Sequence, residues 1–99
     1  MPDSHTIDPE QLRIWLQGAA RHDGAAFRAL YDATSPKLFG YALRILGKRE
    51  LAEEALQDGF VAIWHGAGGY RQQLAAPMTW MTTIVRNKAL DRLRGSARD

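Results

Sequence analysis

Cysteine is absent from this sequence, which excludes disulfides and thiolate metal sites and suits a reducing compartment such as the cytoplasm. The three histidines, His5, His22 and His65, stand at spacings that match no zinc pattern and read as surface or cap residues. No metal and no cofactor is therefore expected. Long apolar runs are missing as well: no stretch approaches the length that spans a bilayer, and the opening MPDSHTIDPEQ has neither the basic patch nor the apolar segment of a signal peptide. Catalytic patterns are equally scarce. "GAGGY" at 66–70 follows no strand and is neither a phosphate loop nor a dinucleotide fingerprint, and no nucleophile elbow or paired-carboxylate motif occurs. An enzyme is not expected.

What remains is a chain of 99 residues, enough for one domain and too short for two ordinary ones. With 45% hydrophobic and 24% charged residues it has the composition of a folded globule. A chain this small must share one core among its elements.

Helix punctuation divides the sequence into about five segments, and no strand period competes with it. Asp8 caps and Pro9 opens a short helix over about 9–19, with Leu12, Trp15 and Leu16 on one side. Asp23 caps a second, carrying Phe27, Leu30 and Tyr31, which is expected to end near Asp32 to Thr34. Ser35 and Pro36 then read as the restart of a third, with Leu38, Tyr41, Ala42 and Ile45 on its stripe and a stop at Gly47. Gly40 inside it is expected to permit a close helix contact, since glycine there costs about 1 kcal/mol relative to alanine.

KRELAEEALQDGFVAIWHG, from Lys48, is the clearest amphipathic helix, with Leu51, Ala55, Leu56, Phe60, Ile63 and Trp64 inward and Glu53, Glu54, Gln57 and Asp58 largely outside that stripe. The glycine-rich GAGGYRQQLAAP reads as a loop of about ten residues. Pro77 opens the last helix, expected to reach about Arg94, with Met78, Met81, Ile84, Val85, Ala89 and Leu93 inward. RGSARD is expected to fray. The fold class is all-α, a compact bundle of about four to five helices.

The net charge of +2 conceals an asymmetry. Between Arg49 and Asp58 one base faces Glu50, Glu53, Glu54 and Asp58; between Arg71 and Asp99, six bases face Asp91 and Asp99. Two faces with different partners are implied. The basic helix has two readings: arginines set against phosphates at fixed spacing, or long chains lying over a packed helix whose carboxy-terminal end favours positive charge. Tyr70 and Arg71, in the preceding loop, add a ring and a guanidinium able to hold unstacked bases, although Tyr70 can equally anchor the loop and Trp80 can belong to the core.

At this point several blocks, in order, resemble the extracytoplasmic-function sigma factors of bacteria, and specifically their first conserved domain, region 2. AAFRALYDATSPKLFGYALRILGKRELAEEALQDGFVAIW resembles the family's early helices, and PMTWMTTIVRNKALDRLRG its promoter-reading helix. The resemblance spans about Leu12 to Arg94. It implies an all-helical domain that docks on the clamp helices of the largest subunit of core RNA polymerase, opens promoter DNA and reads the non-template strand of the minus-ten element. Glu53, Glu54, Gln57 and Asp58 match the polymerase-binding positions, with Phe60 and Trp64 assigned to the core. Tyr70 and Arg71 match the loop that receives a flipped base, although Gly68 and Gly69 stand where members commonly carry an acidic or polar residue. Arg86, Asn87, Lys88, Arg92 and Arg94 match the promoter-facing segment, with Asp91 orienting Asn87 or Arg94.

The same resemblance implies the cytoplasm, no membrane, and an anti-sigma factor as a further partner. The expected layout is an amino-terminal tail and first helix over 1–22, a helical core over 23–95, and at 96–99 the start of a linker to an absent helix-turn-helix domain. The alternative is a helical interaction module held by an anti-sigma factor, with no DNA role of its own.

Overall fold

Each of the first two helices begins where a carboxylate supplies the hydrogen-bond acceptor that a first turn lacks. The computed structural model describes the backbone of residues 7–98 and the side chains of residues 7–95; His5 and Asp99 lie outside the described residues. Helix α1 spans Pro9–Ala20, and Asp8 Oδ1 accepts from the Glu10 N–H at 3.1 Å. It closes through His22, whose φ is +63°, and through the Asp23 N–H donating to the Gly18 carbonyl at 2.9 Å. Asp23 then caps α2, its Oδ1 accepting from Ala25 at 3.0 Å and Ala26 at 3.4 Å.

Helix α2 runs unbroken from Gly24 to Leu46, so Ser35 is not a cap and the expected second and third helices are one. A proline inside a helix removes a hydrogen bond and costs about 3 kcal/mol or more, yet Pro36 does not break this one. The reason lies in packing: Leu30, Thr34, Leu38, Ala42 and Leu46 are all buried, an uninterrupted series four residues apart that would be split by a break. Pro36 and Asp32 sit on the exposed side, where water can reach the carbonyl that lost its donor. Thr34, the buried polar residue of the series, donates its hydroxyl to the Leu30 carbonyl at 2.8 Å. Gly47 stops the helix as expected, with φ +73° and its N–H on the Leu43 carbonyl at 2.7 Å.

Helix α3 spans Arg49–Gly66 and continues into a single 3₁₀ turn at Ala67–Gly69. The glycine-rich stretch is thus partly helical, and the irregular segment shrinks to 70–76. Helix α4 spans Pro77–Arg98, so it runs past Gly95 where fraying was expected. Among the described residues these four helices form an all-α bundle around one core, to which α1 contributes Leu12, Leu16 and Ala19.

The close helix contacts fall at glycines other than Gly40. A Cβ on Gly18 would stand 2.4 Å from the Ala26 Cβ, and one on Gly59 would stand 2.8 Å from Val85 Cγ2. These two positions let α1 meet α2 and α3 meet α4 at backbone range. Gly40 has no heavy atom within 4 Å of the corresponding position and faces open space. Leu93, expected inward, is 41% exposed, because the buried stripe of α4 follows Met81, Val85 and Ala89. No described helix is long and apolar enough to cross a membrane.

Candidate functional site

Helices α3 and α4 run antiparallel: Gly66 lies against Trp80, Gly59 against Val85, and Asp58 against Arg92. This pairing decides where the charged residues go. The four acidic and amide positions of α3 separate into two pairs along its outer side, one toward each neighbouring helix. Toward α2, Glu53 pairs with Arg49 at 3.2 Å, the Arg49 guanidinium lies 5.4 Å from the centre of the Phe39 ring, and Gln57 lines the cleft beside them. Toward α4, Glu54 and Asp58 close on one guanidinium.

That guanidinium belongs to Arg92. Its Nη1 donates to Glu54 Oε1 at 2.6 Å, while Nη2 and Nε both donate to Asp58 Oδ2, at 2.7 and 3.2 Å. Glu54 and Asp58 are one helical turn apart, so a single planar fork can meet both. Arg92 stands seven residues after Val85 and three after Ala89, on the inward side of α4, and helical side chains lean toward the amino-terminal end. The Asp58 hydrogen bond above all, opposed by partial burial and reinforced by the charges of Asp58 and Glu54, pushes the Arg92 pKa further above its usual value.

The rest of the basic segment faces outward. Arg86, Asn87 and Arg94 are exposed and Lys88 is half-buried. Asp91 pairs with Arg94 rather than Asn87. The sequence-predicted residues of α4 therefore divide: Arg92 joins the acids of α3, and the others remain at the surface.

Tyr70 is held rather than free. Its hydroxyl donates to the Ala75 carbonyl at 2.8 Å, its ring lies 5.3 Å from that of Trp80, and it packs with Trp80 against the core. Burial raises its pKa, with the positive charge of Arg13 acting in the opposite direction. Arg71 is exposed beside it. Between this segment and α1 lies a recess of about 290 Å³ lined by Arg13, Gln17, Tyr70, Arg71, Gln72 and Gln73 among others. Arg13 hydrogen-bonds to Gln72 and Glu10. Sequence reasoning missed Arg13, because its partner Gln72 is 59 residues away and no local pattern joins them.

On the other flank of α3, Phe27, Tyr31, Phe60, Val61 and Trp64 wall an apolar groove of about 630 Å³ between α2 and α3. Phe27 meets Trp64 edge to face at 5.0 Å and Tyr31 meets Phe60 at 4.7 Å. Phe60 is 4% exposed, in the core as expected; Trp64 is half-buried against the core and also lines this groove. Among the described residues, no group of three or more His, Asp or Glu side chains is placed to hold a metal ion.

Comparison with known proteins gives this arrangement a family. The model of the family described as Sigma-70 region 2 matches residues 30–99. The extracytoplasmic-function RNA polymerase sigma factor SigK of Mycobacterium sp. (strain KMS) is 36% identical over 83 residues, covering 84% of this chain and 43% of that protein. SigK of Mycolicibacterium vanbaalenii is 32% identical over 84 residues, 85% of this chain and 43% of its own. SigK of Mycobacterium tuberculosis (strain ATCC 25177 / H37Ra) is 30% identical over 83 residues, 84% of this chain and 44% of its own. The chain thus spans less than half the length of these curated relatives. With its helical bundle and a match that takes in α3, the 3₁₀ turn and α4, the chain belongs to the sigma-70 family, as a region 2 domain of the extracytoplasmic-function type.

Proposed function

We propose that this domain serves transcription initiation as part of an RNA polymerase sigma factor. It docks on the clamp helices of the core enzyme's largest subunit through the outer side of α3, with Glu53, Glu54, Gln57 and Asp58 as contacts, and reads the opened non-template strand of the minus-ten element. Tyr70 and Arg71 stand at the base-receiving segment, and Arg86, Asn87, Lys88 and Arg94 present donors and positive charge to the strand. The observation that carries this reading is the family match over residues 30–99, which contains both the acidic flank and the basic segment. The place of action is the cytoplasm, and the domain is a binding module rather than an enzyme.

The test is a pull-down of the folded chain with core RNA polymerase and with its isolated clamp helices. Binding is expected, and Asp58→Arg is expected to weaken it while the helical spectrum stays native. Absence of binding by a folded wild-type chain removes the reading. A second partner is favoured by the aromatic groove between α2 and α3, which offers an apolar surface for another protein. An anti-sigma factor is the partner proposed there, and co-purification of a small helical protein without polymerase binding would favour that role alone.

A further inference from the structure

The arrangement of Arg92, Glu54 and Asp58 joins two surfaces that the proposed function keeps apart. We propose that Arg92 is a positioning residue of the polymerase-docking face and not a promoter contact; this rests on the docking reading above. Three of its N–H groups are committed to two carboxylates on the neighbouring helix. Asp58 spends one oxygen, Oδ2, on both of its bonds, and Glu54 spends Oε1. Among the described hydrogen bonds, Asp58 Oδ1 and Glu54 Oε2 are left to meet an incoming donor.

Two negative charges and one positive leave the cluster at net −1. Without Arg92, two carboxylates one turn apart on α3 repel each other and are free to rotate. With it they are fixed relative to both helices, so a basic partner meets an acidic edge that is already ordered and loses less freedom on binding. Lysine cannot substitute fully, because a point charge lacks the fork that reaches both acids at once.

A promoter role would have to rest on the two N–H groups that the acids leave over, on a guanidinium whose charge Glu54 and Asp58 already offset. The neighbours Arg86 and Arg94 are exposed, and among the described hydrogen bonds and ion pairs neither joins α3. Among the described residues, Arg94 pairs with Asp91, on its own helix. They are the cheaper promoter contacts.

The experiment measures binding of the 99-residue chain to core polymerase for the wild type, Arg92→Ala and Arg92→Lys. Each is repeated in a Glu54→Gln, Asp58→Asn background, with thermal melting as the control for folding. Arg92→Ala is expected to weaken polymerase binding by about fivefold to tenfold and Arg92→Lys by less. In the neutralised background, loss of Arg92 is expected to have no further effect. At saturating polymerase, the salt dependence of binding to a minus-ten single strand is expected to be the same for Arg92→Ala as for the wild type. A purely structural role moves the melting temperature and leaves polymerase binding by the folded chain unchanged.

Equal or tighter polymerase binding by Arg92→Ala overturns the proposal, as does a fall of about one in its promoter salt slope. Should Arg92→Ala fail to fold, Arg92→Lys carries the same comparison. A wild-type chain that does not bind polymerase removes the docking reading and this inference together. Wild-type binding that Arg92→Ala retains in full removes this inference alone.

Discussion

The two flanks of α3 are held by different physics. On the α2 side, Phe60 is buried beneath Phe27 and Tyr31, so the contact is apolar, non-directional and worth kilocalories. On the α4 side, past the buried contact of Gly59 with Val85, Glu54, Asp58 and Arg92 meet with side chains that are 38–49% exposed, where ion pairs contribute about 1 kcal/mol or less. The contrast shows how one helix can bury an aromatic anchor toward one neighbour and hold an exposed ion cluster toward the other. Stability and recognition are then open to separate change.

The comparison breaks most visibly at Phe60. Phe60→Ala is expected to cost about 3–5 kcal/mol, a large share of what a domain of this size possesses, and a urea titration should show the midpoint collapse. Next comes the glycine contact that seats α1 on α2. Gly18→Ala is expected to destabilise by about 1–3 kcal/mol, because the Ala26 Cβ stands on a backbone and has no rotamer to yield. Gly40→Ala has open space and is expected to stabilise by up to about 1 kcal/mol. Opposite shifts in melting temperature would separate the two glycines. Arg92→Ala should change unfolding free energy by less than about 1 kcal/mol, so that any loss of polymerase binding is read without loss of fold.

The smallest effect lies just beyond α3, at Tyr70. Its pKa is raised in the folded state, so above about pH 10, the ordinary value for the phenol, the unfolded chain releases this proton while the folded chain retains it. Its contribution is therefore intact below about pH 10 and is lost as pH rises through the folded-state pKa. Stability measured by denaturant across this range should decline, and Tyr70→Phe should lack that part of the decline.

Much of the fold was legible because its signals are local. Asp8, Asp23, Gly47 and Pro77 mark helix ends through bonds or dihedrals set within a few residues, and the structure places an end at each. The merger across Pro36 was harder to read: the proline cost is local and visible, whereas the offset comes from a buried series at intervals of four that depends on the other helices. The glycines repeat the point. Gly40 looks unusual within its own helix and faces nothing, while Gly18 and Gly59 matter only because Ala26 and Val85 arrive opposite them. At the candidate site, the outward placement of Arg86 and Asn87 follows from residue type and helical angle together. For Arg92 the two signals conflict. Its charge suggested the surface, its angle placed it with Val85 and Ala89, and the angle prevailed because two carboxylates were waiting there.

The contact between Gly59 and Val85 works as a ruler. Asp58 adjoins Gly59 on α3, and Arg92 follows Val85 by seven residues, about 10.5 Å of helix rise, with a side chain that leans back along that distance. Where the two backbones touch thus sets how far the guanidinium must reach. A bulkier residue at position 59 alters no charge and no hydrogen-bonding atom, yet it would push the helices apart and detune the ion cluster from a distance. The smallest side chain in the interface sets the spacing for the longest one.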